Sequence, residues 1–128
     1  MNKFEFYKYQ GNGNDFIIID SRNNDLFNSL LSNKSFNVKK LCDRNFGIGA
    51  DGIIFIVNPD NDNDSRMIIF NSDGSEAEMC GNGIRCMIEY LHNQENSQFN
   101  KSEYRVETKA GLKAVSYTHL TLPTILLV

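Results

Sequence analysis

The chain has 128 residues, a formal net charge of -3 and three cysteines. That length suits one lobe with its own core, the mild acidity gives no basic footprint for nucleic acid, and every apolar run falls short of the ~18 residues that suggest a membrane span. Residues 1–20 carry polar breaks where a signal peptide needs an apolar run, and an odd cysteine count without scaffold density suits a reducing compartment, so the cytoplasm is expected.

Phe4-Glu5-Phe6-Tyr7-Lys8-Tyr9 and Phe16-Ile17-Ile18-Ile19-Asp20 are aromatic and β-branched runs, which predicts a hairpin with Gln10 to Asp15 as its loop. In that loop the Asn14 amide either bonds its own backbone or aims at a ligand. Val38, Leu41 and Cys42 mark an amphipathic stretch, followed by Phe46-Gly47-Ile48-Gly49-Ala50-Asp51-Gly52 and an apolar strand at 53–57. Asp60, Asp62 and Asp64 mimic the start of a calcium loop, but Ser65 stands where the loop needs glycine and Asn71 where it needs the bidentate glutamate. Residues 58–65 therefore read as a solvated loop before a strand at 67–70, and 70–76 as a polar turn.

Ile84, Met87, Ile88 and Leu91 recur at helical spacing, predicting a helix from Gly81 to about Asn93. It is apolar on most of its circumference, with Arg85, Glu89 and His92 as a narrow polar stripe, so it needs cover on several sides. His92 reads as a helix-terminal cation or a solvent-facing residue, and 93–101 as a polar connection. Cys80 precedes Gly81-Asn82-Gly83 at the start of this helix. Such a position can lower a thiol pKa from about 8.5 to roughly 3.5–7.5, and the free N–H groups can hold a carboxylate. The plainer alternative is a small buried residue. Zinc fits poorly, because no Cys-x-x-Cys pair exists among Cys42, Cys80, Cys86 and His92. Cys80 and Cys86 would project about 240° apart on a helix.

Gly-Asn-Gly-Asn-Asp-Phe at 11–16, Gly-Ile-Gly-Ala-Asp-Gly at 47–52, Phe-Asn-Ser-Asp-Gly-Ser-Glu at 70–76 and Cys-Gly-Asn-Gly-Ile-Arg-Cys at 80–86 together resemble the N-terminal half of the diaminopimelate epimerase family. The resemblance covers residues 3 to about 114. It implies an α+β lobe, a curled mixed sheet around a central helix, one of two pseudo-symmetric halves with the active site between them. It implies an isomerase of lysine and peptidoglycan precursor synthesis that uses no cofactor, neither pyridoxal phosphate nor metal. One cysteine thiolate removes the α-proton of LL-2,6-diaminopimelate and a thiol from the other half protonates the opposite face, giving the meso form. Carried over, Cys80 resembles the catalytic cysteine, Asn14 and Asn71 substrate-binding amides, and Gly81 with Asn82 the N–H pair that holds the α-carboxylate. The expected partners are the small-molecule substrate, a C-terminal lobe and, in the full-length enzyme, a second copy as a homodimer, with no nucleic acid or membrane.

Departures from the pattern are Gln10 for the usual loop histidine, Asn12 for an apolar residue, and Gly52 where some members carry glutamine. The second half of the family is not recognisable, and residues 115–128 abandon the Asn/Lys/Asp-rich style, so 1–114 is expected to be the lobe and 115–128 a non-native read-through tail. The chain alone is then expected to be inactive. Alternatives are a related cofactor-independent racemase or isomerase of the same fold, such as a proline racemase relative or a phenazine-type isomerase, and a non-catalytic carboxylate-binding module.

Overall fold

The computed structural model describes residues 3–94 and 102–117. The hairpin forms from β1 (Tyr7–Gly11) and β2 (Asn14–Asp20). Its connection is shorter than expected: Gly11 pairs directly with Asn14, leaving the two-residue turn Asn12-Gly13 with φ of 52° and 88°. Positive φ at both central residues is what a type I′ turn requires, and its twist matches that of the strands. Gln10, Gly11, Asn14 and Asp15 thus belong to the ladder.

After β2 come two short helices, α1 (Leu26–Ser32) and α2 (Val38–Cys42), then β3 (Gly52–Val57), β4 (Ser65–Asn71), β5 (Glu76–Ala77), the long helix α3 (Gly81–Gln94), β6 (Glu103–Thr108) and β7 (Gly111–Ser116). The strands form one mixed sheet in the order β1-β2-β3-β4-β6-β7, with β5 also pairing on β4. The β2–β3 and β4–β6 pairs are parallel and the other pairs antiparallel.

Because strand side chains alternate, the unbroken isoleucine runs serve two cores. Ile18, Ile54, Ile56, Met67 and Ile69 pack against Ile84, Met87, Ile88 and Leu91 of α3. Ile17, Ile19, Ile53 and Phe55 face the other way, onto Leu30 of α1 and Cys42 of α2. Strands buried on both faces read as continuous apolar runs. The cover that α3 needs comes from the sheet curling around it, as expected: Tyr104 and Val106 of β6 join the same core as Phe16 and Ile18 of β2.

The 58–64 loop is exposed but tethered. The buried Glu107 carboxylate accepts the N–H groups of Asp60 and Asn61 and the Asn63 amide at 2.7–2.9 Å. These bonds, the Asn63 amide's first, hold its pKa below the usual carboxylate range. Asp64 accepts from Arg105 N–H at 2.6 Å and Asp60 faces Arg66. Asp60 and Asp64 thus each have a protein partner. Strand β7 runs through Val115 and Ser116, paired with Tyr104 and Glu103. The expected 93–101 connection lies outside the described residues from 95 onward, and so does the tail from 118.

Candidate active site

One end of the sheet carries the sequence-predicted residues. The register aligns Phe16 with Gly52 and Gly52 with Asn71. Phe16, Ile54 and Ile69 belong to the α3-side core, so alternation puts Asn14, Gly52 and Asn71 on that same face at the rim. Neither asparagine lies in a loop: Asn14 opens β2 and Asn71 closes β4. Helix α3 begins at this rim. It is brought close by Gly83, where an added Cβ would lie 3.0 Å from Ile69 Cδ1 and 3.3 Å from Ile54 Cδ1.

Cys80, half-buried, sits immediately before α3. Its carbonyl accepts the first helical hydrogen bond, from Ile84 N–H at 2.8 Å, and its Sγ accepts Gly83 N–H at 3.4 Å. The thiol therefore occupies the place of an N-cap side chain and satisfies one of the free donors of the first turn. Beside it the Asn82 amide donates to Asn14 Oδ1 at 2.6 Å. Asn71 stands apart from this pair, its amide donating to Ser75 Oγ at 3.1 Å within its own turn. Gly52 has no space for a side chain, since a Cβ there would meet Phe70 O at 2.6 Å.

Sequence reasoning missed the ionic clamp behind Asn14. Arg44 grips both oxygens of Asp15 at 2.7 and 3.0 Å and reaches Asp51 at 3.3 Å. Lys8 bonds Gly49 O at 2.6 Å and Asp15 at 3.2 Å. Asp15 N–H donates to Asp51 Oδ2 at 2.9 Å, and Asp51 N–H returns to Asp15 O at 2.9 Å. These bonds lock the 11–16 motif to the 47–52 motif. The only sequence signal was an aspartate near the end of each motif.

The Arg44 guanidinium, opposed by partial burial and helped by Lys8, holds the Asp15 carboxyl far below the usual carboxylate range. A depressed folded-state pKa contributes stability that is present above the ordinary aspartate value of about 3.9 and lost as pH falls below it. The urea midpoint should therefore drop on acidification from pH 5 to pH 3. Asp15→Asn should flatten that drop, and an equally steep loss in the variant would show that Asp15 does not contribute to it.

The other thiols lie in the cores. Cys42 belongs to the α1/α2 side, where burial pushes its pKa up. Cys86, 3% exposed, lies on the α3 side, where burial pushes it up to about 12. His92, in the last turn of α3, stacks on Tyr117 with ring centroids 4.0 Å apart. Among the described residues no group of three or more His, Cys, Asp or Glu side chains is arranged to hold a metal ion, and no helix is long and apolar enough to cross a membrane. A cavity of about 760 Å³ lies at the far end of β2, lined by Tyr7, Asp20, Arg22 and Tyr90, away from Cys80.

A family model described as diaminopimelate epimerase matches residues 6–125. A diaminopimelate epimerase of Prochlorococcus marinus (strain NATL1A) is 57% identical over 111 residues, 86% of this chain and 38% of that protein. One of Methanocella arvoryzae is 49% identical over 90% of this chain and 39% of its own length. A chloroplastic one of Oryza sativa subsp. japonica is 50% identical over 84% of this chain and 29% of its own. Solved structures share the fold at low identity. A Bacillus anthracis phenazine biosynthesis protein of the PhzF family aligns with TM-score 0.60 at 20% identity over 92% of this chain and 36% of its own. An Enterococcus faecalis protein of that family aligns with TM-score 0.62 at 12% identity over 89% and 40%. The chain thus spans about 38% of the length of the first of these curated relatives, and with a family model matching nearly all of it and relatives at about half identity, it belongs to the diaminopimelate epimerase family.

Proposed function

We propose that this chain is the N-terminal lobe of a cytoplasmic diaminopimelate epimerase, which interconverts the LL and meso forms of 2,6-diaminopimelate without pyridoxal phosphate or metal. Cys80 is the base on one face of the α-carbon. Its thiolate takes the α-proton, the electron pair left behind spreads into the α-carboxylate, and a thiol outside these 128 residues returns a proton to the opposite face. The N–H groups of Gly81 and Asn82 meet the carboxylate as that charge grows, when preorganised donors matter most. Asn14 and Asn71 contact the polar ends of the substrate.

The observation that carries this reading is the placement of Cys80 Sγ as the cap of a 14-residue helix, accepting Gly83 N–H at 3.4 Å, with the Asn82–Asn14 pair beside it. Cys42 and Cys86 are buried in separate cores and neither is placed to serve as the second acid.

The test is incubation of LL-diaminopimelate in heavy water, following α-deuterium and stereochemistry together. Residues 1–114 joined to the C-terminal portion of the Prochlorococcus marinus relative should invert the substrate and incorporate deuterium, while residues 1–128 alone should not invert it. Sustained turnover by the short chain would overturn the two-lobe reading, and an inactive but folded joined enzyme would overturn the assignment of activity.

A further inference from the structure

We infer that Asp51 is a positioning residue that fixes the polarity of the two amides beside Cys80, those of Asn14 and Asn82, with Arg44 as its anchor. The inference rests on the site reading above. An ionised carboxylate only accepts hydrogen bonds, whereas a primary amide presents an acceptor on one side and two donors on the other. Asp51 Oδ2 lies 3.3 Å from Asn14 Nδ2, so Asn14 must turn its NH₂ toward Asp51 and its Oδ1 away. That oxygen accepts from Asn82 Nδ2 at 2.6 Å, which fixes the second amide in turn. Asn82 Oδ1 is then left on the side of Asn12, whose Nδ2 lies 3.4 Å away.

One acceptor-only group thus orders the whole line. Without it, each amide could rotate by 180° and exchange donor for acceptor at nearly equal packing cost. The polarity is what decides whether a substrate carboxylate or ammonium finds a donor or an oxygen at the rim. Asp51 is itself held on the opposite side. Arg44 Nη2 lies 3.3 Å from Asp51 Oδ1 while the same guanidinium grips Asp15. Gly49, at φ 86°, packs where a Cβ would lie 3.3 Å from Arg44 Cα, so the 47–50 loop closes over the arginine. The described hydrogen bonds of the Asp51 carboxylate go to Asn14, Asp15 N–H and Arg44, and its part is orientation through Asn14.

Asp51→Leu tests this, because it keeps a similar size and removes the acceptor that Asn14 faces; an asparagine would not do so, since its oxygen can stay on the Asp15 N–H, which Asp51 Oδ2 accepts at 2.9 Å. In the joined enzyme it should raise KM about tenfold or more, as expected for a misdirected hydrogen bond to a charged group, with kcat within about threefold. In the Asn14→Ala background it should add nothing, because partners acting through one group are not additive. An unchanged KM, or effects that add, would overturn the inference. A second readout needs no turnover: in the 128-residue chain, Asp51→Leu should shift the side-chain NH₂ resonances of Asn82 and speed their hydrogen exchange while the backbone amide dispersion is kept. Unmoved Asn82 side-chain resonances would also overturn it. A joined enzyme that is inactive while these resonances shift would count against the proposed activity and leave the positioning role standing.

Discussion

Cys80→Ala in the joined enzyme should lower the inversion rate by about 10²- to 10⁴-fold, the range that a positioned acid–base group supplies. Stability should change little. The thiol is half-buried and the one hydrogen bond described for its Sγ is that from Gly83 N–H, so alanine removes a helix cap at about 1 kcal/mol. Cys86→Ala separates the two kinds of cysteine, because Cys86 lies in the α3-side core. It should cost stability through a cavity while leaving proton abstraction in place. A Cys80→Ala enzyme within tenfold of the parent rate would remove Cys80 from the chemistry.

The largest expected loss of stability is at Gly47. Residues 47–50 fold back over the end of α2: Gly47 N–H donates to Asp43 O, Ile48 and Gly49 N–H to Leu41 O, and Ala50 N–H to Cys42 O, all at 2.8–3.1 Å. These donors satisfy the carbonyls that a helix end leaves open. The fit admits no side chain, since a Cβ at Gly47 would overlap Lys40 O and approach Leu41 O at 2.7 Å. Backbone oxygens cannot swing aside as a flexible side chain can, so Gly47→Ala should cost about 3 kcal/mol, the upper end of overpacking effects. Gly81→Ala is the stability control, because a Cβ there meets nothing within 4 Å and alanine favours the helix. Equal urea midpoints for the two variants would contradict the close-packed return.

The central strands and α3 were legible because burial on both faces, or around most of a helix, leaves an apolar pattern that local reading detects. The sequence alone also located Cys80 at the helix start, since a glycine-flanked cysteine ahead of a 3.6-residue period has few other placements. Helix α1 was not legible: Leu26–Ser32 has two turns, an Asn and two Ser, and is held by the packing of Leu30 rather than by propensity. Strands β6 and β7 were hidden by composition. Tyr104 and Val106 alternate inward, but the charges of Glu103 and Arg105 and the buried Glu107 and Thr108 break the apolar pattern. The hairpin loop was overestimated because Gln10 and Asp15 are polar yet paired, as rim positions of a strand can be. The Arg44–Asp15–Asp51–Asn14 line joins residues up to 37 positions apart, and nothing local in a single sequence specifies such a pairing.

Alkylation of the three thiols, resolved by mass spectrometry with and without diaminopimelate, tests the role of Cys80 most directly. In the joined enzyme Cys80 should react with iodoacetamide well ahead of the buried Cys42 and Cys86, and saturating diaminopimelate should slow it by the occupied fraction, while Cys42 and Cys86 show no protection. Alkylation of Cys80 that proceeds at the same rate under saturating substrate, in an enzyme that is turning over, would contradict the placement of the α-carbon against its sulfur.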